Sequence, residues 1–169
     1  MKKLTTMLAI AAILFTSCSK DKENTNVDMN DTDFAKKAWV ANKAEIELGQ
    51  LAITKAIDSS IFYFAQSIVA EQNAAKSQLQ GIAQQLNIAL PDSLDADNVA
   101  IRAQMIDLNG RPFDSVYITN RAIQLQRTVT LYQTELNEGL NESLRLYALT
   151  ELPKLQAHLQ AADSIALNY

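Results

Sequence analysis

From Asp31 to the end of the chain, apolar side chains return every third or fourth position, and few residues interrupt them. That spacing puts the apolar groups on one stripe of a helix, whereas a strand would need alternation by two. Only 4 Gly and 3 Pro occur in 169 residues, and long Ala-, Leu- and Gln-rich stretches lie between them. Ala, Leu, Gln, Glu and Lys lose little conformational freedom on entering a helix. The fold class expected is all-α, in one domain.

The breaks in the pattern divide the chain. Helix one is expected to start at Asp31 or Thr32, with an inward stripe of Phe34, Ala38, Ala41, Glu45, Leu48, Leu51 or Ala52, and Lys55. Asp58-Ser59-Ser60 supplies a break and new caps. Helix two then carries Phe62, Ala65, Val69, Gln72, Lys76, Leu79, Ala83 and Leu86 inward. Residues 87–95, with Leu90-Pro91-Asp92-Ser93, form a connection. A short third helix covers Ala96 to Leu108 and stops at Asn109-Gly110. Helix four begins around Pro112 to Asp114, with Ile118, Ala122, Leu125, Val129, Tyr132, Leu136 and Leu140 inward. Asn141 can cap helix five, whose stripe is Leu144, Ala148, Leu152, Leu155, Leu159, Ala162 and Ala166. Pro153 should kink or split that last helix. Four long helices and a short one on the crossover predict a four-helix bundle of ferritin-like outline. A solenoid is the rival, but no motif recurs at a fixed period. Trp39, Tyr63, Tyr117 and Tyr132 read as core and core-edge packing. Gly49 and Gly81 fall inside helices, where either close helix contact or chance explains them.

The first residues have a different character. Met1-Lys2-Lys3 is positive, residues 7–15 are apolar, and Thr16-Ser17 places small side chains before Cys18. This is the layout of a secretory signal peptide at residues 1–17, too short to span a bilayer. Cys18 is the only cysteine, so it has no intramolecular disulfide partner, and lipidation explains a lone thiol at this place. Phe15-Thr16-Ser17-Cys18 resembles a bacterial lipobox, with Phe15 where Leu is usual. Acyl chains on Cys18 would anchor the chain to a membrane. Ser19 in place of Asp suggests, by resemblance, sorting to the outer membrane, and Lys20-Asp-Lys-Glu23 looks like an export tag to the cell exterior. Residues 18–31 are polar and are expected to form a disordered tether, spanning about 20 Å. The domain proper is then 32–168.

Formal net charge is −4, and loss of Lys2 and Lys3 with the signal segment makes it more acidic. An acidic chain without a basic face is not expected to bind nucleic acid. No Gly-rich phosphate loop or Gly-x-Ser-x-Gly elbow occurs, and a Ser-His-Asp arrangement would rest on His158, the single histidine, with no recognisable partner. Asp92-Ser-Leu, Asp114-Ser-Val and Asp163-Ser-Ile resemble O-glycosylation sites, though the first two also read as helix starts.

Several segments together resemble the family called domain of unknown function 4142, bacterial envelope proteins similar in fold to ferritin-like bundles. They are residues 44–52 (Ala-Glu-Ile-Glu-Leu-Gly-Gln-Leu-Ala), 64–69 (Phe-Ala-Gln-Ser-Ile-Val), 113–117 (Phe-Asp-Ser-Val-Tyr) and 152–159 (Leu-Pro-Lys-Leu-Gln-Ala-His-Leu). The resemblance implies no established activity. It also implies two Asp-His pairs, where this chain has Glu71-Gln72 and Gln124-Leu125. A carboxylate-bridged dimetal centre needs Glu from two helices and Glu-x-x-His from two more. Glu45, Gln72, Leu125, Glu151 and His158 are too few for it, and Glu45 and His158 are the candidates for a single metal. The ordinary readings are a flank histidine, partly exposed or hydrogen-bonded, and a Glu45 paired with Lys43, Lys55, a neighbouring helix or Gln72. The function expected is a non-enzymatic envelope lipoprotein without cofactor, whose helical domain binds an envelope partner or contributes to surface structure. Self-association is possible through Ala-rich faces. The alternative is a ferritin-like metal or redox protein that has lost most ligands.

Overall fold

The computed structural model describes residues 29–169. They form five α-helices, and no strand occurs among the described residues: α1 Met29–Lys55, α2 Ser59–Gln85, α3 Ala96–Asp107, α4 Gly110–Glu138 and α5 Glu142–Ala166. The signal segment, Cys18 and the tether up to residue 28 lie outside the described residues. The last residues assigned to the tether, 29–31, belong to α1.

Local chemistry explains most helix ends. Asp58 accepts the Ser60 backbone N–H at 2.8 Å, Asp95 that of Asn98 at 2.8 Å, and Asn141 that of Leu144 at 3.2 Å. Each satisfies a first-turn donor that has no partner within its own helix. α4 starts earlier than expected, at Gly110, whose φ of +62° suits glycine. Pro112 then sits in the first turn, where its missing N–H costs nothing. Pro153 does not split α5, which continues through it as one helix.

The four long helices close a circuit: α1 packs on α2 and α4, and α5 packs on α4 and α2, while α3 touches α1 and α4 only lightly. The chain builds this from two similar helical hairpins, α1–α2 and α4–α5. Asp31 at the start of α1 accepts the N–H groups of Leu140 and Asn141 in the α4–α5 turn. Asp114 at the start of α4 accepts those of Ile57 and Asp58 in the α1–α2 turn. The separation from residue 31 to 114 equals that from 58 to 141, so the two hairpins clamp one another at matching positions. The same offset relates the ring pairs Phe34–Tyr147 and Tyr117–Phe64, each with centroids 6.3 Å apart. Asp31-x-x-Phe34 and Asp114-x-x-Tyr117 repeat at this offset, but the other matched positions largely share burial more than residue type.

This reciprocal clamp explains why α1 begins at Met29 and not at Asp31 or Thr32: Asp31 serves the start of another helix. Other stripe positions also shift. In α2 the buried column is Ile61, Phe64, Ala65, Ile68, Gln72, Ala75, Leu79 and Ala83, leaving Phe62, Val69 and Lys76 on its flank. Leu140 is 61% exposed because α4 has already ended. Tyr63 is 66% exposed and is not core, unlike Trp39, Tyr117 and Tyr132. Lys55 leaves the stripe to donate to the Met105 and Ile106 carbonyls at the end of α3.

Candidate functional site

α4 carries a column of buried polar residues beside its apolar stripe: Asp114, Arg121, Thr128 and Glu135, each seven residues from the next. Seven residues is close to two helical turns, so all four point the same way. Opposite Arg121 stands Glu45, an inward position of α1. Arg121 Nη1 donates to Glu45 Oε1 at 3.0 Å, and both side chains are buried. Arg121 Nη2 also donates to Asn120 Oδ1. Among the described residues, Arg121 Nε, Glu45 Oε2 and the Tyr117 hydroxyl are buried without a partner. Burial holds the Glu45 carboxyl above the usual carboxylate range, with Arg121 drawing it back. Burial, with Glu45 nearby, pushes the Tyr117 hydroxyl well up.

The pair lines a groove of about 370 Å³ between α1 and α4. Val40, Ala41, Ala44 and Leu131 give it apolar walls, and Lys36, Lys37 and Arg127 bring cations. Equivalent positions of the two hairpins face one another there: Ala41 and Gln124, Ala44 and Arg127, Glu45 and Thr128 all contribute. The connection after α2 and the start of α3 break that correspondence by adding Pro91, Asp95 and Asn98 to one side. Trp39 Nε1 pins it by donating to the Pro91 carbonyl at 2.8 Å, and Lys43 donates to the Asp92 carbonyl. Lys76 covers the Trp39 ring at 5.0 Å.

The residues singled out from sequence have other partners than a metal. His158 is buried, with Nε2 3.1 Å from Glu71 Oε2 and its ring edge-on to Phe64. It is therefore a hydrogen-bonded histidine, but an interior one. Glu45 pairs with a neighbouring helix, as one of its expected options had it, through Arg121; Lys43 and Lys55 instead hold backbone carbonyls. Glu151 is held by Lys154 at 2.7 Å. Gln72 and Leu125 are both buried. Among the described residues, no group of three or more His, Cys, Asp and Glu gathers into a metal-ligating set. Sequence reasoning passed over Arg121, because a cation between Ile118 and Leu125 looks like the solvent side of a helix. The seven-residue recurrence of polar side chains was the available signal.

A family model described as Domain of unknown function (DUF4142) matches residues 16–165. The chain belongs to that family. No curated protein is significantly similar to it. Among solved structures, this DUF4142 chain is similar to the crystal structure of a DUF305 fragment from Deinococcus radiodurans, with a TM-score of 0.75 at 9% identity. That likeness covers 85% of this chain and 99% of the other and concerns the fold alone. Among the described residues, no helix of the DUF4142 chain is long and apolar enough to cross a membrane.

Proposed function

We propose that this chain is an envelope lipoprotein, anchored through Cys18, whose helical domain binds a ligand or partner and does not turn over a substrate. The domain is, on this reading, a four-helix bundle of ferritin-like outline with α3 on the crossover. The circuit of long helices supports that outline. The observation that carries the binding role is the groove between α1 and α4, in which Lys36, Lys37 and Arg127 stand beside apolar walls over the buried Glu45–Arg121 pair. Among the described residues those three cations form no salt bridge, and an anionic ligand with an apolar body would complement them.

Against the metal or redox alternative stands the Arg121 guanidinium, a fixed cation 3.0 Å from the Glu45 carboxylate. A metal ion at Glu45 would meet that charge, and His158 is already engaged by Glu71. The anchor rests on the sequence around Cys18. Mass spectrometry of the mature chain purified from bacterial membranes tests it. Expected is a product that begins at an acylated Cys18; a chain that keeps Met1 and a free thiol would refute the anchor. Stoichiometric iron, copper or zinc in the same preparation, lost on His158→Ala, would favour the alternative.

A further inference from the structure

We infer that the groove between α1 and α4 binds a small organic acid with a hydrocarbon body, its carboxylate held by Lys36, Lys37 and Arg127 at the mouth. This rests on the binding role proposed above and specifies its ligand.

The charge balance of the groove carries the argument. The chain is acidic, with a formal net charge of −4, yet the groove gathers Lys36, Lys37, Arg121 and Arg127 against Glu45 and Asp95. Glu45 is committed to Arg121, and Asp95 accepts hydrogen bonds from Asn98 as the cap of α3. Among the described residues, Lys36, Lys37 and Arg127 form no salt bridge. Four cations less two acids leave the groove with a formal excess of two positive charges, which favours an anion.

The shape of the site selects the rest of the molecule. Arg121 is fully buried against Glu45, so the guanidinium that meets the head group is that of Arg127, exposed at the mouth. A carboxylate matches a guanidinium edge in geometry and charge. Val40, Ala41, Ala44 and Leu131 offer nothing polar, so the part of the ligand that lies against them is apolar. A volume of about 370 Å³ is of the size that takes a small molecule. The two hairpins provide the floor, and the connection pinned through Trp39 and Lys43 closes one side, so the site is preformed.

Sodium octanoate, with octan-1-ol and octylamine as head-group controls, is the probe. Calorimetric titration of the purified full chain should give one saturable octanoate site and at least tenfold weaker binding of both controls. Arg127→Ala and Lys37→Ala, at exposed positions, should each weaken octanoate about twofold to fivefold, consistent with single solvent-exposed charge contacts. Ala41→Phe should abolish binding by filling the groove, while Lys154→Ala, on α5, should leave it unchanged. Circular dichroism confirms that each variant keeps its helix content. No octanoate binding by a folded chain, equal binding of octylamine, or undiminished binding in a folded Ala41→Phe variant would each overturn the assignment. An acylated Cys18 combined with no octanoate binding would remove the groove assignment and leave the anchor standing; the reverse result would remove the anchor alone.

Discussion

Arg121 of α4 reaches Glu45 of α1 at 3.0 Å inside the helix packing, so the two hairpins are joined by an ion pair with almost no solvent around it. Charges taken out of water cost more than they return unless every hydrogen-bonding atom is satisfied, and here Arg121 Nε and Glu45 Oε2 are not. Removing one partner strands the other. Glu45→Leu and Arg121→Met should each lose about 3–5 kcal/mol of stability, and the double variant should lose less than either single one. Urea denaturation of the four chains measures this. Additive losses would mean that the pair is not coupled.

The reciprocal clamps make a matched pair of tests. Asp31→Ala frees the Leu140 and Asn141 amides, and Asp114→Ala frees those of Ile57 and Asp58. Each loses carboxylate hydrogen bonds to buried or part-buried backbone, for about 1–3 kcal/mol. Hydrogen exchange should localise the effect to the turn of the opposite hairpin, more than 50 residues away in sequence in each case. Faster exchange confined to the mutated helix would contradict the clamp.

Two helix-interior glycines should respond with opposite sign. A methyl group at Gly81 would meet nothing within 4 Å, so Gly81→Ala should stabilise by about 0.5–1 kcal/mol through helix propensity. At Gly49 the added carbon would lie 2.5 Å from Val69 Cγ2, and a short branched side chain has little room to yield. Gly49→Ala should therefore destabilise, because α1 and α2 meet at that point. Thermal unfolding of both variants gives the comparison, and a stabilised Gly49→Ala chain would show that the contact is looser than this.

The carboxy-terminal tyrosine gives a pH test. Tyr169 donates to Asp58 Oδ2 at 2.9 Å, and burial together with that bond to Asp58 pushes its hydroxyl up to about 12 from 10.0. A value raised on folding means that the contribution is whole below pH 10 and is lost as pH rises through about 12. Tyr169→Phe should cost about 0.5–1.5 kcal/mol at pH 8, and the difference from the parent chain should shrink towards pH 12. Arg111 can still stack on the substituted ring, since its contact is with the aromatic face. A gap that stays constant over the alkaline range would place the Tyr169 hydroxyl outside the network.

Sequence alone determined the helices. Spacing of apolar groups by three and four located all five, and Asp58 and Asn141 were readable as caps because a cap acts within a few residues of itself. The tertiary structure decided whatever depends on partners far along the chain. Asp31 looked like a local helix start and instead holds a turn more than 100 residues away. Glu45 was visible as an inward acid, but its partner was not, since the seven-residue recurrence of polar side chains that includes Arg121 does not say which helix it faces. Local periodicity reports which side of a helix avoids water. Which charge answers which across two helices, and where a groove opens between them, is set only when the two hairpins dock.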